Sequence, residues 1–153
     1  MSNYVMDIRK RIGHDPLMIC GASTIVLNEK NEVLMQQRTD DGHWGYPGGS
    51  VELYEKVEEA AKRELYEEVG VIADELELLG VFSGEKLRHV YPNGDQASIV
   101  DIVFVCRKYH GELTCQMGEV EQMGFFPLDQ LPQPVSPTCM PAFEKMREML
   151  YHK

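Results

Sequence analysis

The sequence predicts an α+β protein with a mixed β-sheet held between helices. Three observations point there. Apolar runs of strand length recur between turn residues, as in "LMICGASTIVL" (17–27) and "IVDIVFVC" (99–106). Two other segments, 55–69 and 138–151, space their apolar residues for helices. No repeat, low-complexity tract or linker interrupts the pattern, and 153 residues suit a single domain across 1–153.

The elements follow in order. Val5, Ile8 and Ile12 lie at helical spacing and predict a short helix over about 3–12, stopped by Gly13. A buried strand is expected over 17–27, then a turn at "NEKN" (28–31). "EVLMQQRT" (32–39) is expected to pair back as the second arm of a hairpin. "DDGHWGYPGG" (40–49) is a loop rich in glycine. The helix over about 55–69 ends at Gly70, a residue suited to a C-terminal cap. Strands are expected near 75–82 and 97–107, the second apolar enough to be covered on both faces. "YPNGDQ" (91–96) is a turn by composition. "GFFPL" (124–128) reads as a short strand and "LPQPVSP" (131–137) as an extended connector. The last helix sets Met140, Phe143, Met146 and Leu150 along one side.

Charge and cysteine usage narrow the function. A net charge of −10 repels nucleic-acid phosphates at long range and argues against general nucleic-acid binding. It leaves phosphate substrates open, because a bound metal reverses the local sign. Cys20, Cys106, Cys115 and Cys139 form no C-x-x-C pair and imply no zinc site; they read as reduced thiols of a cytoplasmic protein. None of the five histidines pairs at ligand spacing. "MSNYVMDIRKRIGHD" lacks the apolar region of a signal peptide, and 17–27 is too short to span a bilayer.

The helix over 55–69 carries the chemistry. On a helical projection Val57, Ala60, Ala61 and Leu65 share an arc, with Glu59, Lys62 and Tyr66 opposite. Glu64 and Glu68 fall within about 20° of Val57, and Glu67 at the edge of that stripe. Glu58 also falls near the apolar side, without a reason in the pattern. Glu64, Glu67 and Glu68 stand at i, i+3 and i+4, with Cβ atoms roughly 5–6 Å apart. Like charge, partial burial and the negative end of the helix dipole all oppose this arrangement. A divalent cation relieves all three, and hard oxygen donors suit magnesium, manganese or calcium rather than zinc. An acidic surface helix laced with pairs such as Arg63–Glu67 is the plainer alternative. "PGG" ahead of the helix lets the chain turn tightly and offer a backbone carbonyl, such as that of Gly49, to the same cation.

From Gly49 the chain reads Gly, five residues, Glu55, seven residues, then Arg63-Glu64-Leu65-Tyr66-Glu67-Glu68-Val69-Gly70-Val71. This resembles the Nudix box, G-x5-E-x7-R-E-U-x-E-E-x-G-U with U aliphatic, across 49–71. Every fixed position is filled. "VLMQQR", "WGYPGG" and "FFPLDQLP" are similar to the family's flanking framework. The resemblance implies an α/β/α sandwich with a mixed sheet, and Mg2+- or Mn2+-dependent hydrolysis of a nucleoside diphosphate linked to another moiety. Glu64, Glu67 and Glu68 would then be metal ligands with the Gly49 carbonyl, and Glu52 would lie near the metal. Arg63 would hold the glutamates' rotamers, supported by Glu55. The general base would be Glu67, Glu68, or a carboxylate of "MGEVEQMGFF", either Glu119 or Glu121.

Substrate contacts are expected outside the box. Arg38 ends a strand near the loop and suits a phosphate. Lys86, Arg88, His89 and Tyr91 form a basic-aromatic cluster suited to phosphate and base, or simply an exposed hairpin. Tyr46 is expected to face the ligand and Trp44 to fill the core. ADP-ribose, a sugar nucleotide or a nucleoside triphosphate are the expected substrates. A nucleotide-diphosphate sensor without turnover, or an isomerase, are the alternatives. The N-terminal helix lies outside the box and suits a homodimer contact.

Overall fold

The computed structural model describes residues 3–114 and 119–151. Its elements are α1 (Tyr4–Ile12), β1 (Leu17–Val26), β2 (Val33–Arg38), β3 (Trp44–Gly45), β4 (Gly48–Ser50), α2 (Val57–Val69), β5 (Ile72–Ala73), β6 (Glu77–Phe82), β7 (Arg88–Val90), β8 (Gln96–Cys106), β9 (Tyr109–His110), β10 (Val120–Phe126) and α3 (Met140–Tyr151). The fold is α+β with a mixed sheet. Parallel β1 and β8 form its centre, in register from Leu17–Ala97 to Val26–Cys106. Antiparallel β4 flanks β1, and β6 and β7 flank β8. A second sheet has the order β10-β2-β3, and β5 pairs with β9.

Alternation along the central pair feeds two cores. Ile25, Val103 and Val105 face Phe143 and Met146 of α3. Ala22, Val26, Phe104 and Cys106 face the other way, among Ala60, Ala61, Leu65 and Val69 of α2. Helices therefore cover both faces of the pair. Among the described residues, no helix is long and apolar enough to cross a membrane.

The expected hairpin is a correction. β1 and β2 meet only at the bridge between Leu27 and Val33, and they belong to different sheets. One edge of β1 is taken by β8 along its length and the other by β4 over Gly21–Ser23, so no continuous edge remains for β2. β2 crosses to pair with β10, from Val33–Phe126 to Arg38–Val120. β10 begins at Val120 rather than at 124, because its partner extends that far. β1 is also less buried than its composition suggests: Met18 and Cys20 are exposed, and burial is continuous only from Gly21. The β5–β9 pair has no signal in its two-residue segments. Cys115 lies outside the described residues, as do Met117 and Gly118 of the acidic segment.

α1 is anchored by a charge. Arg9 is buried, and its guanidinium donates to the carbonyls of Gly13, Asp15 (2.6 Å) and Gln96. It lies 3.7 Å from Asp95, in the turn before β8. Asn3 caps the first turn by accepting from Met6 N.

Candidate active site

Glu55 and Arg63 build the site's frame. Arg63 Nε and Nη2 donate to both Glu55 oxygens at 2.8 and 2.9 Å. Nη1 donates to Glu64 (2.8 Å) and Glu67 (3.3 Å), and Nη2 to the Ser50 carbonyl (3.1 Å). These hydrogen bonds hold the Glu55 carboxyl below its usual range and raise the guanidinium further. Glu55 also accepts from the Glu52 backbone N–H at 3.0 Å. The Glu52 carboxylate is turned to α1, where it accepts from Tyr4 N at 3.0 Å. A continuous hydrogen-bonded chain thus runs from α1 to the acid end of α2.

Glu68 is buried and accepts from Gly48 N at 2.8 Å and from the Gln36 side chain. Burial, reinforced by the nearby Glu64 charge, pushes its carboxyl up to about 8. Burial also raises Glu64, against the pull of Arg63. Glu67 is exposed at the rim, and so is Glu58 on the outer face. Their exposure corrects the helical projection, which gave Glu58 an inward place. Gly70 ends α2 in the left-handed region at φ 76°, with its N–H bonded to Tyr66 O.

The residues at this end fit a hard divalent cation. A Cβ on Gly49 would lie 2.5 Å from Glu64 Cδ, so only glycine lets the backbone approach that carboxylate. The donors on offer are carboxylate and backbone oxygens. Two of the carboxylates, Glu64 and Glu68, are raised, first by burial and then by the neighbouring carboxylate charges that a cation would offset. Among the described residues, no three acid, histidine or cysteine side chains already converge on one point. Glu64 and Glu67 are instead held by Arg63, and Glu68 by Gly48.

A cavity opens beside these acids, lined at one end by Gln36, Gly48 and Gly49. Its floor is the α3-side face of β1 and β8, beyond the point where α3 covers them. There Asp101 accepts from Ser23 Oγ at 2.7 Å and from Tyr46 OH at 2.9 Å. Burial raises the Asp101 carboxyl, opposed by those two bonds. The Tyr46 ring stands edge-on to Phe143, at 5.3 Å between centroids. Leu87, His89 and Tyr91 line a wall, and His89 meets Tyr91 edge-on at 4.4 Å.

The structure brings together Glu55, Arg63, Glu64, Glu67, Glu68 and Gly49, whereas Glu52 joins Glu55 only through its backbone N–H and its carboxylate turns to Tyr4. Glu119 lies near enough for its charge to raise Glu64, while Glu121 is exposed at a bulge in β10. Arg38 lines the cavity but is clamped by Asp40, at 3.0 and 2.7 Å. Tyr46 and Tyr91 line it as well, and Trp44 packs in the core. Lys86 and Arg88 stand elsewhere: Lys86 is exposed, and Arg88 pairs with Glu85 beside a separate shallow pocket. The alternation of β7 explains the place of Arg88, since His89 turns inward and Arg88 outward. Sequence reasoning missed Asp101, Ser23 and Gln36. The signal for Asp101 was present: a lone charge inside "IVDIVFVC".

Comparison with known proteins agrees with this geometry. The family model described as the NUDIX domain matches residues 20–146. An ADP-ribose pyrophosphatase of Methanocaldococcus jannaschii is 34% identical over 112 residues, 71% of this chain and 62% of that protein. An 8-oxo-dGTP diphosphatase of Escherichia coli is 37% identical over 73 residues, 45% of this chain and 53% of that protein. The chain thus spans between half and two thirds of these curated relatives' length. A crystal structure of a MutT NUDIX hydrolase from Burkholderia pseudomallei superposes with a TM-score of 0.72 at 30% identity, covering 84% of this chain and 98% of that one. With the box filled, its acids gathered at one end of α2 and the sandwich around them shared, the chain belongs to the Nudix family.

Proposed function

We propose that this chain is a pyrophosphohydrolase that uses Mg2+ or Mn2+ to split a phosphoanhydride in a nucleoside diphosphate linked to another moiety. The observation that carries the reading is the acid end of α2: Arg63 gathers Glu55, Glu64 and Glu67, and Glu68 lies buried next to a cavity. The relatives, named for ADP-ribose and 8-oxo-dGTP hydrolysis, support the reaction class. Residues 1–153 would act as one domain.

Glu64, Glu67, Glu68 and the Gly49 carbonyl would hold the cation. When bound, it supplies charge neutralisation for the diphosphate and makes a nearby water more acidic. Arg63 restrains the glutamates' rotamers, so less reorganisation remains at the moment of reaction. Glu68 is the first candidate for accepting the water's proton, because it lies buried against Gly48 at the edge of the cavity. Glu119 is the second candidate for that role. Gly48 and Gly49 leave the backbone bare between acids and cavity, where a diphosphate would pass.

The test is phosphate or nucleoside monophosphate release from ADP-ribose, sugar nucleotides and nucleoside triphosphates, with and without Mg2+. Cation-dependent release is expected from at least one, and Glu68→Gln should abolish most of it. Binding without release from any of them would point to a sensor instead.

A further inference from the structure

The cavity floor is built from acceptors. Register places Gly21 beside Asp101 and Ser23 beside Val103 on the two central strands. Moving along this face from the α3 core, Ile25 and Val103 give way to Ser23 and Asp101, and then to Ile19 and Ile99. A carboxylate thus sits in the middle of an apolar face. An apolar side chain there would avoid the cost of burying a charge. Each Asp101 oxygen accepts one hydrogen bond, Oδ1 from Ser23 and Oδ2 from Tyr46. A carboxylate offers about four acceptor positions, so one remains on each oxygen. The group lines the cavity rather than being sealed beneath it. Gly21 keeps the approach open: a Cβ there would stand 3.3 Å from Oδ1.

We infer that Asp101 is a specificity-determining residue that reads the paired N–H donors of a guanine-type base. The inference rests on the reading that the cavity takes a nucleotide. Guanine presents N1–H and N2–H side by side, matching two carboxylate oxygens. Adenine presents one N–H beside a ring nitrogen lone pair, which would face an oxygen without a proton between them. Ser23 and Tyr46 position the carboxylate by fixing both oxygens. The Ile19, Leu87 and Ile99 side chains and the His89 and Tyr91 rings supply the apolar surroundings that a planar base needs. A good bidentate pair of this kind discriminates by about tenfold or more.

The experiment is calorimetric binding of GMP, IMP and AMP to the full chain, without turnover. The expected order is GMP, then IMP, then AMP, with at least about tenfold between first and last. Asp101→Asn keeps the shape and should bring GMP and AMP within threefold of each other, with melting temperature recorded as the control. Gly21→Ala is the second variant and should weaken GMP more than AMP by crowding Oδ1. Equal affinities in the parent, no binding of any of the three at millimolar concentration, or a GMP preference that survives both substitutions would overturn the assignment. The outcome is separable from the hydrolase reading. Cation-dependent turnover without guanine preference sinks this inference alone, and selective GMP binding without turnover on any nucleotide sinks the hydrolase reading alone.

Discussion

At the acid end of α2 one guanidinium faces Glu55, Glu64 and Glu67, while buried Glu68 has only neutral donors. At the cavity floor one carboxylate faces two hydroxyls. The first region holds more negative charge than its own cations balance. The second satisfies its charge with neutral donors and keeps acceptor positions in reserve. The difference suits the first to a metal-bound diphosphate and the second to an uncharged, donor-bearing base. Both regions are buried at a price in solvation, which is why each needs its named partners.

The largest effect should come from the first region. Glu68→Gln is expected to lower cation-dependent turnover by about 10²–10⁴ on the best substrate. It should not lower the cation-free melting temperature at pH 8, because it removes a buried anion. A fall in melting temperature with turnover intact would reverse the comparison.

Arg63→Ala should cost roughly 1–3 kcal/mol in denaturant unfolding, since it strips charged partners from Glu55, Glu64 and Glu67 together. Added Mg2+ should recover part of that loss, as a second cation in the same place would. An unchanged midpoint would mean that the Arg63 contacts are solvated and idle.

Glu68 also sets a pH dependence for the cation-free chain. Its folded carboxyl is raised from 4.5 to about 8, so between those values the folded state binds more protons than the unfolded chain. Stability should therefore fall as pH rises through that window and level off above it, by about 1.4 kcal/mol per pH unit at most. Thermal melts across pH 5–9 would show the slope, and Glu68→Gln should flatten it. A slope of the opposite sign would place Glu68 among ordinary salt-bridged carboxylates.

Tyr46→Phe probes the second region and should cost about 1.5–3 kcal/mol, the worth of one hydrogen bond to a buried carboxylate. Mg2+ affinity should stay constant in this variant, because the acid end of α2 is not touched. A change in Mg2+ affinity equal to that of Arg63→Ala would merge the two regions into one.

The two regions also differ in how far the sequence discloses them. The acids of α2 lie within one helix, so 3.6-residue periodicity brings Glu64, Glu67 and Glu68 to one end, and Arg63 to them. The cavity floor joins Ser23, Tyr46 and Asp101, from three separated segments, and no local spacing relates them. The alternation of β7, which separates His89 from Arg88, needed the pairing with β8 to become visible. Glu52 was legible as a carboxylate near the loop, but its bond to Tyr4 depends on where α1 docks.

By itself the sequence determined the α+β class, α1, the C-terminal end of α2 with its Gly70 cap, the apolar stripe of α3 and the acid set of the box; α2 begins at Val57 rather than at 55. All of these rest on interactions between near neighbours along the chain. Tertiary structure alone decided that β2 leaves β1 for β10, that Arg9 pins α1 to the turn before β8, and that Asp101 lies under an open cavity. A strand has two edges and two faces, and the sequence does not say which partner fills each; that choice is made only when distant segments compete for the same hydrogen bonds and the same apolar surface.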